Sequence, residues 1–251
     1  MSKATNLRME KLVIVFLLVL LITSSFGALN ISSSVSAQPA GVDISLNETE
    51  TITPEPAAEL TTAGGTFTTL VLNGTFQTPR WKAYVGNVSG RLALQDASSQ
   101  SIYDWDLVTV SGQVYVTRHE DIDWASIDCA SEQSILSEQL NLNIDDESAD
   151  SINRTFNETI HRSFFVGTTQ IVESSCRAIA TYVDDARQEP SVESSFQEIL
   201  LEDGSSNLVF ASLIEQAQVG YDSQFYDFQL IVPEDPTAAD PTTYYFFAEI
   251  Y

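Results

Sequence analysis

The sequence predicts a mainly β protein: a β-sandwich, immunoglobulin-like or jelly-roll-like, with a short helical insertion between its two cysteines. Short runs of aromatic and β-branched residues recur between turn signals along residues 66–251. This spacing is typical of a two-sheet sandwich or barrel. Two stretches with helical periodicity lie between Cys129 and Cys176. The length of residues 66–251 suits one domain.

The strand predictions follow from alternation of apolar and polar residues. They cover residues 67–76, 81–88, 91–95, 102–106, 113–118, 164–172, 178–183, 196–201, 208–214, 225–232 and 244–251. Turn signals separate them: Ser111-Gly112 precedes one run, residues 202–206 (EDGSS) predict a hairpin turn, and Pro233 ends another.

Two helices are predicted in the insertion, residues 131–160. Each begins at a serine suited to N-capping and places three apolar residues on one face. The first combines Ser131 with Ile135, Leu136 and Leu140, and the second combines Ser148 with Ile152, Phe156 and Ile160.

Residues 1–37 have the features of a secretory signal. Three basic residues precede an apolar run at residues 12–22, and residues 35–37 (VSA) form a small-x-small cleavage site. The run is short for a membrane span of about 20 residues, which favours cleavage; the alternative is a retained N-terminal anchor. We therefore expect an extracellular or cell-surface location. Residues 38–65, rich in Pro, Thr, Glu and Ala, predict a linker or stalk.

The chain is strongly acidic, with 35 Asp and Glu against 11 Lys and Arg and a net charge of −24. Without residues 1–37 the net charge becomes about −26 by formal count. Such a surface repels nucleic acid, so we expect no nucleic-acid partner. It is tolerated in dense salt, where the screening length falls to about 3 Å at 1 M. The acid excess therefore predicts a halophilic origin.

Cysteine and asparagine usage also suggests export. Cys129 and Cys176 form an even pair, which in an exported chain favours one disulfide over two free thiols or half a metal site. Asparagines of N-x-Ser/Thr sequons are predicted N-glycosylation sites, namely Asn47, Asn73, Asn87, Asn153 and Asn157, with a further sequon at Asn30. At Asn73 and Asn87 the alternative is ordinary turn chemistry.

No sequence motif predicts catalysis, and no cofactor is expected apart from calcium. Glu120, Asp121 and Asp123 are the best calcium candidates, although they match no calcium-binding loop and solvated acids are the default. His119 and His161 are the two histidines available to a hydrolase triad, and their alternatives are a strand end and a helix end.

Six aromatic residues of the first half are candidates for a sugar-stacking platform, with core and cross-strand packing as the favoured alternative. They are Trp81, Tyr84, Tyr103, Trp105, Tyr115 and Trp124.

Several longer motifs resemble those of a known group. Residues 81–106 read WKAYVGNVSGRLALQDASSQSIYDWD, and they are followed by GQVYVTR, SINRTFNETIHRSFFVG, SSCRAIATYV and YDFQLIVPED. In these motifs residues 66–251 resemble a group of exported archaeal proteins of uncharacterised function. The resemblance implies a secreted or cell-surface protein and supplies no catalytic residues.

These observations lead to three functional hypotheses. The first is an exported glycoprotein without catalysis that has a structural, filament or adhesion role and binds cell-envelope components or other copies of itself. In that case residues 60–72 could add as a strand to a neighbour's open sheet edge. The second is a carbohydrate- or calcium-binding surface module. The third is a secreted hydrolase using His119 or His161.

Overall fold

The computed structural model describes residues 38–45, 48–54 and 56–251. The predicted leader and Asn47 therefore lie outside the described residues. The described chain is mainly β, with antiparallel strand pairs and helices between the two cysteines, as predicted. The predicted disulfide is present: Cys129 and Cys176 are bonded, with their Cα atoms 4.9 Å apart.

The described strands are, in chain order, β1 (Ala40–Gly41), β2 (Trp81–Gly86), β3 (Arg91–Gln95), β4 (Ser101–Asp106), β5 (Gly112–Thr117), β6 (Asp128–Cys129), β7 (Phe164–Val166), β8 (Thr169–Ile171), β9 (Ala178–Ala180), β10 (Gln197–Glu202), β11 (Leu208–Leu213), β12 (Gln218–Val219), β13 (Phe225–Tyr226), β14 (Phe228–Pro233) and β15 (Tyr245–Ile250). The described helices are α1 (Glu132–Asn141) and α2 (Ile152–Thr155), and a 3-10 turn spans Trp124–Ser126.

The largest sheet has the order β1-β15-β5-β11-β10-β6, and β9 also pairs with β10. Strands β5 and β11 are buried along their whole length, and β10 nearly so. Both faces of this sheet are covered by other elements. The central strands therefore lack a solvent-facing side and depart from simple apolar-polar alternation.

One face packs against the two-stranded sheet of β2 and β14 and against the helical insertion. Trp81 and Tyr84 of β2 and Leu230 and Val232 of β14 contribute to this core. The main sheet and the insertion supply its other buried residues, including Val114, Val116, Leu200 and Phe210 from strands and Ile135, Ile152 and Phe156 from the insertion. Two sheets facing each other across an apolar core form the predicted sandwich.

The opposite face packs against the β7–β8 hairpin, the 3-10 turn and the disulfide. Its buried residues include Tyr115, Ile199, Leu201, Val209, Phe164, Val166, Ile171 and Cys176. The disulfide thus lies at the edge of a second apolar core and joins the start of the insertion to the segment that follows the β7–β8 hairpin.

Two polar side chains of the main sheet hold β14 in place. Glu198 and Ser212 are direct neighbours on β10 and β11. Ser212 Oγ donates to the carbonyl oxygen of Gln229 over 2.9 Å, and a Glu198 carboxyl oxygen accepts from the Ile231 amide over 2.9 Å. These backbone groups lie on the edge of β14 that β2 leaves open. Because an unpaired buried backbone group is costly, the two side chains replace a missing neighbouring strand.

One strand prediction is wrong. Residues 67–76 contain no strand, and Phe67, Val71, Leu72 and Phe76 are 84–94 % exposed. The alternation of Thr with Phe and Leu favours an extended chain, but no sheet edge of the described chain pairs with it. Conversely, residues 40–41 of the predicted linker form β1, which pairs with Ala248 and Phe247 of β15.

The helix predictions are only partly correct. Ser131 caps α1, but Leu140 is exposed, because the helix buries Glu138 and Gln139 instead. Arg118 reaches Glu138 through two bonds of 2.5 and 2.8 Å, which compensates the burial of this carboxylate. The second helix is a single turn capped by Ser151, not Ser148.

Ile160 lies beyond the end of the second helix and is partly exposed, although its predicted companions Ile152 and Phe156 are fully buried. Two long strand predictions are also divided. Gly167, at φ +57°, separates β7 from β8, and Asp227 separates β13 from β14. A left-handed backbone at Gly167 allows the tight turn between two short strands.

Candidate functional site

The β3–β4 hairpin stands apart from both cores, and we call it the exposed hairpin. Its five cross-strand pairs include Leu92 opposite Trp105 and Leu94 opposite Tyr103. These four side chains share one face because strand residues two apart point the same way. None of them belongs to a described core cluster, and they remain 41–61 % exposed.

The exposed hairpin is amphipathic. On the face opposite these side chains, Arg91 Nη1 and Asp104 Oδ2 form an exposed ion pair of 2.7 Å. On the apolar face, the rings of Tyr103 and Trp105 meet edge to face with centroids 5.0 Å apart. Two strands alone are marginally stable in water, and exposed apolar patches commonly mark interaction sites. The apolar face of this hairpin is therefore suited to covering by a partner.

Both outer edges of the exposed hairpin are open. Within the described ranges, β3 and β4 form a two-stranded sheet of their own, and no backbone hydrogen bond joins either outer edge to another segment. Unpaired edges of this kind can accept an added strand.

A second exposed apolar feature is the neutral segment, residues 60–79. It contains no Asp, Glu, Lys or Arg, although the chain as a whole carries a net charge of −24. All its residues except Thr78 are exposed. Its sequence FTTLVL at residues 67–72 combines β propensity with apolar character and lacks charge, which is typical of segments that pair with other strands.

The C-terminal end of the neutral segment is anchored at Asp150. The Thr78 hydroxyl donates to this carboxylate over 2.6 Å, and Trp81 Nε1 donates to the Asp150 carbonyl oxygen over 2.8 Å. Arg80 lies 3.7 Å from the same carboxylate. Hydrogen bonds from Ser148 and Thr78 lower the pKa of Asp150, so its charge is favoured.

Strand β2 connects the two features. It begins at Trp81, where the neutral segment ends, and it ends at Gly86, shortly before the exposed hairpin. The five steps between its six residues, at about 3.3 Å each, place these two points roughly 17 Å apart. The anchored end of the segment and the base of the hairpin therefore lie at opposite ends of β2.

The predicted calcium residues line a shallow cavity of about 440 Å³. Glu120, Asp121 and Asp123 share this cavity with Asp203. Within residues 38–45, 48–54 and 56–251, no group of three or more His, Cys, Asp or Glu side chains converges closely enough to hold a metal ion. These three acids therefore form no complete ligand set in this arrangement.

Asp203 serves the β10–β11 turn. Its carboxylate accepts hydrogen bonds from the backbone amides of Ser205, Asn207 and Asp123, and from the Asn207 side chain, over 2.8–3.3 Å. Burial raises its pKa, but these bonds outweigh that effect and lower the pKa overall. Both of its oxygens are thus engaged in shaping the loop.

His161 is fully buried beside the disulfide. Its Nδ1 donates to the Arg162 carbonyl oxygen over 2.7 Å, and its Nε2 accepts from the amides of Ser175 and Cys176 over 3.1 and 3.0 Å. Burial lowers the pKa of His161. A neutral ring fits these contacts because only a neutral imidazole has an acceptor nitrogen. This histidine organises the chain around Cys176.

His119 is partly buried at the end of β5. Its backbone amide donates to Thr117 Oγ1 over 3.3 Å. In the described part of the chain its ring forms no hydrogen bond with a serine and an acid, the arrangement that a hydrolase triad requires. The structure thus brings neither histidine together with the partners of the third hypothesis.

The described sequon asparagines differ in accessibility. Asn73, Asn87 and Asn157 are exposed. Asn153 is half-buried, and its amide nitrogen donates to Glu132 Oε1 and Asp146 Oδ1, each over 2.7 Å. These bonds give Asn153 a structural role in the insertion, and a glycan would replace one of the two amide hydrogens and break at least one of the bonds.

The six aromatic candidates also divide. Tyr115 and Trp124 pack together in one core, and Trp81 and Tyr84 pack in the other. Only Tyr103 and Trp105 stay largely exposed. The sequence pattern did not distinguish these two residues from the other four. The neighbouring charged residues Arg91, Asp104 and Asp106 were the signal that could have indicated a solvent-facing hairpin.

Comparison of the chain with family models, with curated proteins and with solved structures returned no match. Among the residues that the structure describes, no helix is long and apolar enough to cross a membrane.

Proposed function

We propose that this chain is an exported glycoprotein of a halophilic, archaeal-type cell surface that works by binding, with a structural, filament or adhesion role and without catalysis. One observation carries the proposal: the exposed hairpin presents an apolar face on a molecule whose two cores are filled without it. A surface built in this way is suited to association with envelope components or other proteins.

Three further features support an extracellular role. The basic and apolar pattern of residues 1–37 suits export. The disulfide suits an oxidising compartment. The acid excess suits concentrated salt. The polar contacts of His161 and Asp203 are explained by structural roles, whereas the apolar face of the exposed hairpin contributes to neither described core.

Expression of the full chain in a haloarchaeal host tests this proposal. We expect the wild-type chain in the envelope fraction and on the surface of intact cells. The variant Tyr103→Ser with Trp105→Ser should be released into the medium with its disulfide intact. The matched control, Phe165→Ser with Phe225→Ser, removes two exposed aromatic residues from other hairpins and should behave as the wild type. Cytoplasmic wild-type protein, or equal retention of all three chains, would contradict the proposal.

A second candidate function is carbohydrate binding by the same hairpin. It is favoured by the exposed, adjacent rings of Tyr103 and Trp105, because aromatic faces stack on sugar rings through their apolar C–H groups. A glycan array in molar salt should then give binding that Trp105→Ala abolishes and Phe225→Ala preserves. An array without signal would reject this candidate and leave the first one standing.

A further inference from the structure

We propose that the partner of the exposed hairpin is a second copy of this chain: residues 67–72 of one molecule add as a strand along β4 of the next, head to tail. This inference rests on the proposed function and names its partner. It starts from two exposed features whose properties match, an apolar hairpin with open edges and a neutral strand-prone segment without a sheet.

Charge restricts where two copies can meet. Each chain carries a net charge of −24, so most surfaces of two copies repel each other. Salt weakens this repulsion but does not turn it into an attraction. Residues 60–79 carry no charge at all. The apolar face of the exposed hairpin, formed by Leu92, Leu94, Tyr103 and Trp105, is also uncharged. Contact between these two surfaces brings no carboxylates together.

Strand geometry suits the same pairing. Residues 67–72 and β4 are both six residues long. An added strand would satisfy the open backbone groups of β4, and alternation would place Leu70 and Leu72 on one side. Laid on the side of Tyr103 and Trp105, these leucines would cover the apolar face. Ile102 within β4 and Val108 two residues beyond it are 80 % and 91 % exposed, and this apolar exposure favours β4 over β3 as the acceptor strand.

The positions of donor and acceptor give the assembly its direction. The neutral segment is anchored at the Trp81 end of β2, and the hairpin follows the Gly86 end. Because each molecule offers the donor at one end of β2 and the acceptor at the other, the contact is heterologous. Heterologous contacts that do not close into a ring extend into filaments. Asn73 directly follows the docked residues, so a glycan there would flank the added strand.

Complementary blocked variants test the inference on the full chain purified from a haloarchaeal host in molar salt. Leu70→Glu with Leu72→Glu blocks the donor, and Tyr103→Glu with Trp105→Glu blocks the acceptor. Gln133→Glu with Ser137→Glu adds the same charge on an exposed helix face and is the control. Sedimentation velocity should show growing oligomers for the wild type and control, and monomers for each blocked variant. An unchanged melting temperature would show that both variants fold.

Mixing the two blocked variants is the decisive step. Each retains the half that the other lacks, so head-to-tail pairing predicts a 1:1 dimer and no longer species. A monomeric mixture, a monomeric wild type or unimpaired blocked variants would overturn the inference. A wild type that stops at a dimer would overturn the head-to-tail direction. Slow hydrogen exchange of residues 67–72 in a monomeric wild type would show docking within one molecule and also overturn it.

The two proposals fail separately. If the purified wild type is monomeric but hairpin-dependent retention in the envelope persists, the partner is not a second copy and the proposed function stands. If hairpin-dependent retention is absent as well, both are rejected.

Discussion

Glu198 offers a stringent test of how the two sheets are joined. This residue of β10 is fully buried, and one carboxyl oxygen accepts from the Ile231 amide over 2.9 Å. The other oxygen, Oε1, has no hydrogen-bond partner among the described residues. Burial raises the pKa of Glu198 well above its usual value of 4.5, against the opposing effect of the Ile231 bond. The folded protein therefore favours the protonated, neutral carboxyl group.

The sign of the pH effect follows from this shift. A raised pKa in the folded state means that the folded protein retains a proton that the unfolded chain releases above about pH 4.5. The contribution of Glu198 to the free energy of unfolding is then complete below that pH. It decreases by about 1.4 kcal/mol for each pH unit until the folded pKa is reached.

Replacing Glu198 with Gln removes the titration and keeps the acceptor for Ile231. We expect wild type and Glu198→Gln to unfold with free energies within about 1 kcal/mol of each other near pH 4, where both side chains are neutral. From pH 5 upward the variant should become progressively more stable than the wild type, with a slope approaching 1.4 kcal/mol per pH unit.

Denaturant unfolding at fixed molar salt, repeated from pH 4 to pH 8, measures the difference between the two proteins. Other groups titrate in both and cancel. Glu189→Gln makes the same chemical change at an exposed position and is the control. A flat difference for Glu198→Gln would refute the reasoning, because it would mean that the folded state accommodates the charged carboxylate as well as water does.

Three further predictions follow from the described contacts. Glycopeptide mass spectrometry of the chain from a haloarchaeal host should find glycans at Asn73, Asn87 and Asn157 and none at Asn153, whose amide nitrogen is engaged twice. A glycan at Asn153 would show that at least one of those bonds is dispensable. Replacing Cys129 and Cys176 with Ser should lower the free energy of unfolding by about 4 kcal/mol, from the chain entropy of a loop of 47 residues, and a loss under about 1 kcal/mol would contradict that account. Dialysis from molar to about 0.1 M salt should lower the melting temperature, because the net charge of −24 is then screened over about 10 Å rather than 3 Å; an unchanged melting temperature would argue against adaptation to salt.

The sequence predicted the central strands well. Runs such as residues 208–214 are bounded by turn residues and carry large apolar side chains, and these local signals determine β11 within one residue. The sequence could not indicate which polar residues are buried among them. Glu198, Gln197 and Gln229 are examples. Their side chains each bond to a residue more than 30 positions away, namely Ile231, Arg162 and Thr181.

The failed strand at residues 67–76 has a different origin. Its Thr, Phe and Leu residues favour an extended chain. A strand also requires a neighbour, and the sequence pattern says nothing about which sheet edges are occupied. The same limitation applies to Tyr103 and Trp105. Their alternation along β4 would be the same whether another segment of this chain or a partner molecule covered that face of the hairpin. In both cases the sequence shows the strand pattern but not the segment that pairs with the strand or covers its face.

The acid excess gives these two features a common meaning. The chain has 35 acidic residues, yet residues 60–79 contain none, so this exposed segment lacks the charge repulsion of the acidic surface. An exposed apolar segment is a hazard in molar salt, where apolar association is strengthened and charge repulsion is screened. Contact between the neutral segment and the apolar face of the exposed hairpin brings no carboxylates together, so we infer that association favours these two surfaces. On this reasoning the same salt that makes the acidic surface tolerable also strengthens the proposed contact between them.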